Sequence, residues 1–290
     1  NGFELDFVPK GAEFEKKRAA ARRRIFDIAE ALTGETYADD TMIISTSGRN
    51  DFRCKGFDVY LESMRRLNEQ LRGSQRKVLS LIEVPCWLLG PREDLRARLA
   101  DEKALRSHAY TTPLPTPMIT HDLHNLNEDR IFCLIKDLGL DNRRENPVKV
   151  ILVPCYLDGT DGIFDQHYYD VLTANDLTLY PSYYEPWGYT PWESLCLGVP
   201  TVTTSLAGFG SWALGHFPNE NLALRVLNRD DNNYVEVVEG VTRQIEKIAG
   251  LSPTAYEVLW EDAQQIGKAA LWDKFFAYYQ EAYTLTLERM

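Results

Sequence analysis

Residues 177–210 read LTLYPSYYEPWGYTPWESLCLGVPTVTTSLAGFG. A short apolar run at 177–180 gives way to a Pro-Trp-Gly-Tyr-Thr-Pro turn, a helical pattern over 191–197, and a β-branched run at Thr201–Thr204. Strand, Gly-containing turn, helix and strand in 28 residues is the signature of a parallel α/β unit, in which the helix N-terminus presents unbonded backbone N–H groups to an anion. Two carboxylates, Glu185 and Glu193, stand eight positions apart at the ends of that turn. An anion-binding helix start flanked by carboxylates that accept sugar hydroxyls is the combination a nucleotide-sugar site needs.

The rest of the chain repeats the alternation. A run at 42–45 precedes a Ser-Thr-Ser-Gly-Arg loop, and Phe57, Tyr60, Leu61, Met64, Leu67 and Leu71 then fall at helical spacing. Strands are expected at 77–84, Val148–Val153 and 222–227, helices at 12–32, 91–103, 122–138 and Tyr168–Thr173, and helices from Asn232 to the end. Three prolines in 111–117 make that segment a loop. The basic run 16–24 reads as a solvated helix face. The expected fold class is α/β, a doubly wound parallel sheet of Rossmann type, with ligands outside the carboxyl ends of the strands. Loops 45–56 and 181–193 both follow strands and are expected to converge on one crevice. Residues 1–290 are taken as one domain, with a hinge and first helix at 1–35, the sheet core at 40–227 and C-terminal helices at 228–290.

The net charge of −11 and a pI near 5.0 argue against nucleic acid as a partner, so binding of an anionic nucleotide has to rest on a local basic cluster. No apolar run reaches the ~20 residues of a membrane helix. Five cysteines without a C-x-x-C pair suit reduced thiols and a cytoplasmic protein. His121 and His124 are expected near a helix start with no third ligand evident, and the Asp158-Gly-Thr-Asp161-Gly stretch reads as two turns, so no metal is expected. Asn1-Gly2 reads as an internal cut in a longer chain.

Arg49 and Lys55, six apart in a Gly-containing loop after a strand, are placed to reach one diphosphate. The alternative is a pair of surface cations. Arg53 lies between them as a supporting residue. Glu185 is otherwise a solvated turn acid, and Glu193 a first-turn acid favoured by the helix dipole. Gly188 permits close backbone approach, and the amides of Tyr189 and Thr190 open the helix. Paired glutamates also define glycoside hydrolases, but hydrolases rarely need an Arg/Lys phosphate clamp.

SYYEPWGYTP with a second glutamate two residues on and TT-x-x-x-GFG resembles the donor-site signature of glycogen synthases of the animal and fungal type. SGRNDFRCKGFDVYLESMRRLN, the opening NGFELDFVPKGAEFEKKR (an interdomain hinge by resemblance), ITHDL and the closing aromatic helix match in order, so the likeness spans nearly the whole chain. It implies the C-terminal, donor-binding half of a two-domain GT-B retaining glucosyltransferase (glycosyltransferase family 3). Such an enzyme moves glucose from UDP-glucose to the 4-hydroxyl end of an α-1,4-glucan. By resemblance Arg49 and Lys55 hold the leaving diphosphate, Glu185 contacts the donor glucose, Glu193 the ribose, and Tyr168 the uracil, with packing in the core as the alternative for Tyr168. Trp187, Gly188, Tyr189 and Thr190 complete the donor set.

The implied cofactor list is empty, UDP-glucose being a co-substrate. The implied partners are UDP-glucose, an α-glucan acceptor and the missing N-terminal domain. A homo-oligomer stays open, as does the choice of UDP or ADP. Without its acceptor half the fragment is expected to be inactive. Two departures stand out: 250–273, where relatives carry an arginine-rich regulatory helix, has no arginine, and Val153-Pro154-Cys155 replaces a His-Pro-Glu motif. The second reading is a non-catalytic nucleotide-sugar or glucan-binding module.

Overall fold

The computed structural model describes residues 4–5, 8–218 and 221–289, so part of the hinge expected at the start of the chain lies outside the described residues. The elements run α1 (Ala12–Thr33), β1 (Met42–Ser47), α2 (Phe57–Gln70), β2 (Val78–Glu83), β3 (Leu88–Pro91), α3 (Glu93–Ala100), α4 (Glu102–Arg106), β4 (His121–Leu123) and α5 (Arg130–Asp137). They continue as β5 (Val148–Val153), α6 (Tyr168–Thr173), β6 (Leu177–Leu179), α7 (Tyr189–Cys196), β7 (Thr201–Thr204), α8 (Gly208–Leu214), β8 (Leu224–Leu227), α9 (Tyr234–Ala249), α10 (Pro253–Lys268) and α11 (Trp272–Glu288).

Six strands form one parallel sheet in the order β5-β2-β1-β6-β7-β8. Chain order reverses between β1 and β6, which is the topological switch of a doubly wound sheet. The expected fold class is the one observed. Burial on both sides explains the continuous apolar runs. Ile44, Val78, Ile82 and Val150 enter one core with side chains from α2, α5, α7, α9 and α10, while Ile43, Leu79, Leu81 and Ile151 enter a second with α1, α3, α4 and α6.

Two expected helices are revised. Segment 122–138 is a helix only from Arg130, because the Asp129 side chain accepts the Phe132 amide at 2.9 Å and caps the helix there. His121–Leu123 is instead a strand, paired antiparallel with Leu88–Pro91, an element local periodicity did not disclose since its partner lies some thirty residues away. The helix expected over 91–103 is split at Asp101, whose carboxylate recaps the chain through the Ala104 amide at 3.0 Å.

The basic run of α1 is likewise not simply a solvated face. Arg18 and Arg22 both pair with Asp176, and they also donate to the carbonyls of Thr173, Ala174 and Asn175, which end α6. These arginines brace the connection into β6, the strand that leads to the Glu185 turn.

Candidate functional site

The loops after β1 and β6 meet at the switch point. Tyr183 donates its amide to the Cys54 carbonyl at 2.9 Å. Gly56, at φ 72°, lies so close to Pro181 that a Cβ there would stand 2.0 Å from its carbonyl oxygen. Beyond this contact the Glu185 backbone bridges to Ala207, and its carbonyl accepts the Gly208 amide at 3.0 Å. The glutamate is therefore held by backbone from the following βα turn, and Gly208, where a Cβ would stand 2.2 Å from the Pro186 carbonyl oxygen, permits that approach.

Lys55 and Glu185 form a direct ion pair, with side chains 15% and 17% exposed. They line a small recess with Ser47, Tyr180, Ser182, Gly188, Thr190, Pro191, Thr203 and Ala207. Gly188 (φ 99°) is the residue before α7, so the amides of Tyr189 and Thr190 open the helix without an intrahelical acceptor. Tyr189 is exposed, and Thr190 half-buried at the recess. Cation, carboxylate and helix start thus share one concavity.

The other expected residues are distributed around it. Arg49 is exposed and makes no side-chain hydrogen bond or ion pair among the described residues. Glu193 accepts from the Tyr169 hydroxyl at 3.0 Å, and burial pushes its carboxyl above the usual range. Tyr168 bonds Ser47 Oγ through its hydroxyl at 2.8 Å, and its ring packs against both cores beside Tyr169. Trp187 turns away from the recess into an aromatic cluster with Phe209, Trp212 and Phe275. Ser47, Ser182 and Thr203 belong to the neighbourhood yet were not singled out from sequence, although Ser47 closes the polar STS run at a strand end, the one local signal that points to it.

The histidine pair separates. His124 stacks on Trp87, while His121 is fully buried in β4. His121, Cys155 and Asp161 place one potential ligand atom each within 4.8 Å of one another, a grouping the sequence reading did not assemble. Its imidazole and carboxylate are already engaged. His121 bonds Thr120 Oγ1 and the Asp161 carbonyl, and the Asp161 carboxylate accepts the amides of Ile163, Phe164 and Asp165. Burial lowers the His121 pKa and raises that of Cys155. The cluster anchors the 158–165 loop.

A six-stranded doubly wound sheet with a cation, a carboxylate and a helix start at its switch point defines a Rossmann-like α/β domain with a polar ligand crevice. The chain belongs to the glycogen synthase family, whose family model matches residues 95–290. The liver glycogen [starch] synthase of Rattus norvegicus is 27% identical over 340 aligned positions, covering 100% of this chain and 48% of that protein. The glycogen [starch] synthase of Neurospora crassa is 28% identical over 265, covering 73% and 37%. The chain spans about half the length of the curated relatives it matches. Among solved structures, the N-terminal domain of Candida albicans trehalose-6-phosphate phosphatase aligns with a TM-score of 0.50 at 11% identity, over 94% of this chain and 48% of that one, a likeness of fold.

Proposed function

We propose that residues 1–290 are a single donor-binding domain of a retaining glucosyltransferase that extends an α-1,4-glucan from UDP-glucose. The observation that carries this reading is the Lys55–Glu185 pair, facing the start of α7 where the loops after β1 and β6 meet. A departing diphosphate accumulates negative charge, and Lys55, Arg49 and the Tyr189 and Thr190 amides are fixed charges and dipoles for it. Glu185 orients the glucose hydroxyls and Glu193 the ribose. The glucan 4-hydroxyl attacks C1 on the face the diphosphate leaves, and the leaving phosphate oxygen takes its proton. No metal or cofactor is invoked, and UDP-glucose is a co-substrate.

The acceptor groove belongs to an N-terminal half that also closes the cleft and excludes water. The closing helix is suited to meet it: α11 buries only Phe275 and exposes Phe276, Tyr278, Tyr279 and Tyr283. No helix among the described residues is long and apolar enough to cross a membrane, and we assign the protein to the cytoplasm.

Calorimetric titration of the 290-residue chain with UDP, with ADP in parallel, tests the reading. Binding of UDP that is abolished in Arg49→Ala supports it. Absence of heat from folded protein with either nucleotide opposes a donor site formed by this half alone.

A further inference from the structure

Arg229 follows β8 at the carboxyl edge of the sheet and is 6% exposed. Its guanidinium lies 5.3 Å from the Tyr183 ring centroid, and its Nε and Nη1 are buried without a hydrogen-bond partner. A buried guanidinium with two unused donor nitrogens is costly, because the water it lost has not been replaced. Burial accordingly pulls its pKa down, and Arg53 adds to the effect. Arg53 is exposed on the 49–55 loop and makes no side-chain hydrogen bond or ion pair among the described residues. Arg53 precedes Cys54, whose carbonyl accepts the Tyr183 amide, and its charge reaches both Tyr183 and Arg229, whereas Lys55 turns to Glu185.

The acids nearby do not satisfy Arg229. Asp58 accepts the amide of Val59, and Asp231 accepts the Tyr183 hydroxyl. The Tyr234 hydroxyl donates to the Asp58 carbonyl. One guanidinium over a tyrosine face with donors unspent, and a second, exposed one on the neighbouring loop within reach of its charge, match the charge and the several acceptor oxygens of a phosphate group.

We propose that Arg229 and Arg53 form an oxyanion subsite on Tyr183, separate from the Arg49/Lys55 loop cations, that takes a phosphate group. The subsite is independent of the ligand that occupies the Lys55–Glu185 recess.

The test is calorimetry of the 290-residue chain with inorganic phosphate and, in parallel, ribose 5-phosphate at constant ionic strength. Arg229→Gln and Arg53→Gln should each weaken phosphate binding about tenfold, the loss of one charge-assisted pair, and Arg229→Gln should leave UDP binding unchanged. Tighter binding of the sugar phosphate would assign the group to a phosphate monoester, and equal binding to the free anion. Thermal melts supply an independent readout: phosphate should raise the wild-type midpoint, and Arg229→Gln should melt higher than wild type without phosphate and no longer respond to it. Phosphate binding that survives both substitutions, that is competed by UDP and lost in Arg49→Ala, or that is absent from folded protein overturns the proposal. Arg53 is exposed, so its variant keeps the test decisive if Arg229→Gln fails to fold.

Discussion

Lys55 and Glu185, 130 residues apart in the chain, are ion-paired where the two loops of the switch point touch. Each holds the other's side chain out of solvent, so removing either partner leaves a largely buried charge uncompensated. Lys55→Ala should therefore lower UDP affinity by at least about tenfold. Glu185→Gln, which frees the ammonium, should preserve or strengthen UDP binding while abolishing glucosyl transfer in a protein carrying both halves. Calorimetry with UDP and a transfer assay read the two effects, and equal losses of UDP binding in both variants would contradict the division of roles.

Tyr169 rather than Tyr168 contacts Glu193. Tyr169→Phe removes one hydrogen bond to the Glu193 carboxyl and should change nucleotide affinity by less than Glu193→Gln does. If the ribose is held by Glu193, a deoxyribose analogue of UDP should lose the same factor in wild type that Glu193→Gln loses with UDP. Comparable Kd values for the two sugars would separate Glu193 from the ribose.

Glu83 ends β2 between Ser47 and Val153, is 4% exposed, and neither carboxylate oxygen has a partner. Burial alone pushes its pKa up to about 8 from 4.5. The folded protein thus keeps a proton that the unfolded chain has released at neutral pH. This contribution to stability is full below pH 4.5 and is lost as pH rises toward 8, at about 1.4 kcal/mol per pH unit within that window. Glu83→Gln should flatten that slope and be the more stable protein at pH 8 in denaturant titrations. An unchanged slope would mean Glu83 is not the group responsible.

Gly56 and Gly73 both have positive φ, 72° and 79°, but only Gly56 has a neighbour in the way, since a Cβ at that position would meet the Pro181 carbonyl oxygen at 2.0 Å. Gly73→Ala should cost about 1 kcal/mol, the conformational term alone. Gly56→Ala should cost about 3 kcal/mol or more and separate the two loops, eliminating UDP binding. Similar melting points for the two variants would show that the loops can part freely.

Sequence by itself determined the class of fold and the chemistry on offer. Alternating apolar runs and helical spacing are local properties, so the strands of the parallel sheet, α1, α2 and the C-terminal helices were legible, as were the polar loops at 45–56 and 181–193. Residue type and order also carried the family likeness. Tertiary structure decided what depends on contacts across long separations. It paired β3 with β4, set Arg18 and Arg22 against Asp176, drew Lys55 onto Glu185, and turned Trp187 into an aromatic cluster. It also left the Glu83 carboxylate and the Arg229 Nε and Nη1 buried without hydrogen-bond partners. The physical reason is that burial and pairing are properties of a neighbourhood: a charged residue has the same local pattern whether it is solvated, paired or stranded, and only the folded chain assigns it one of these states.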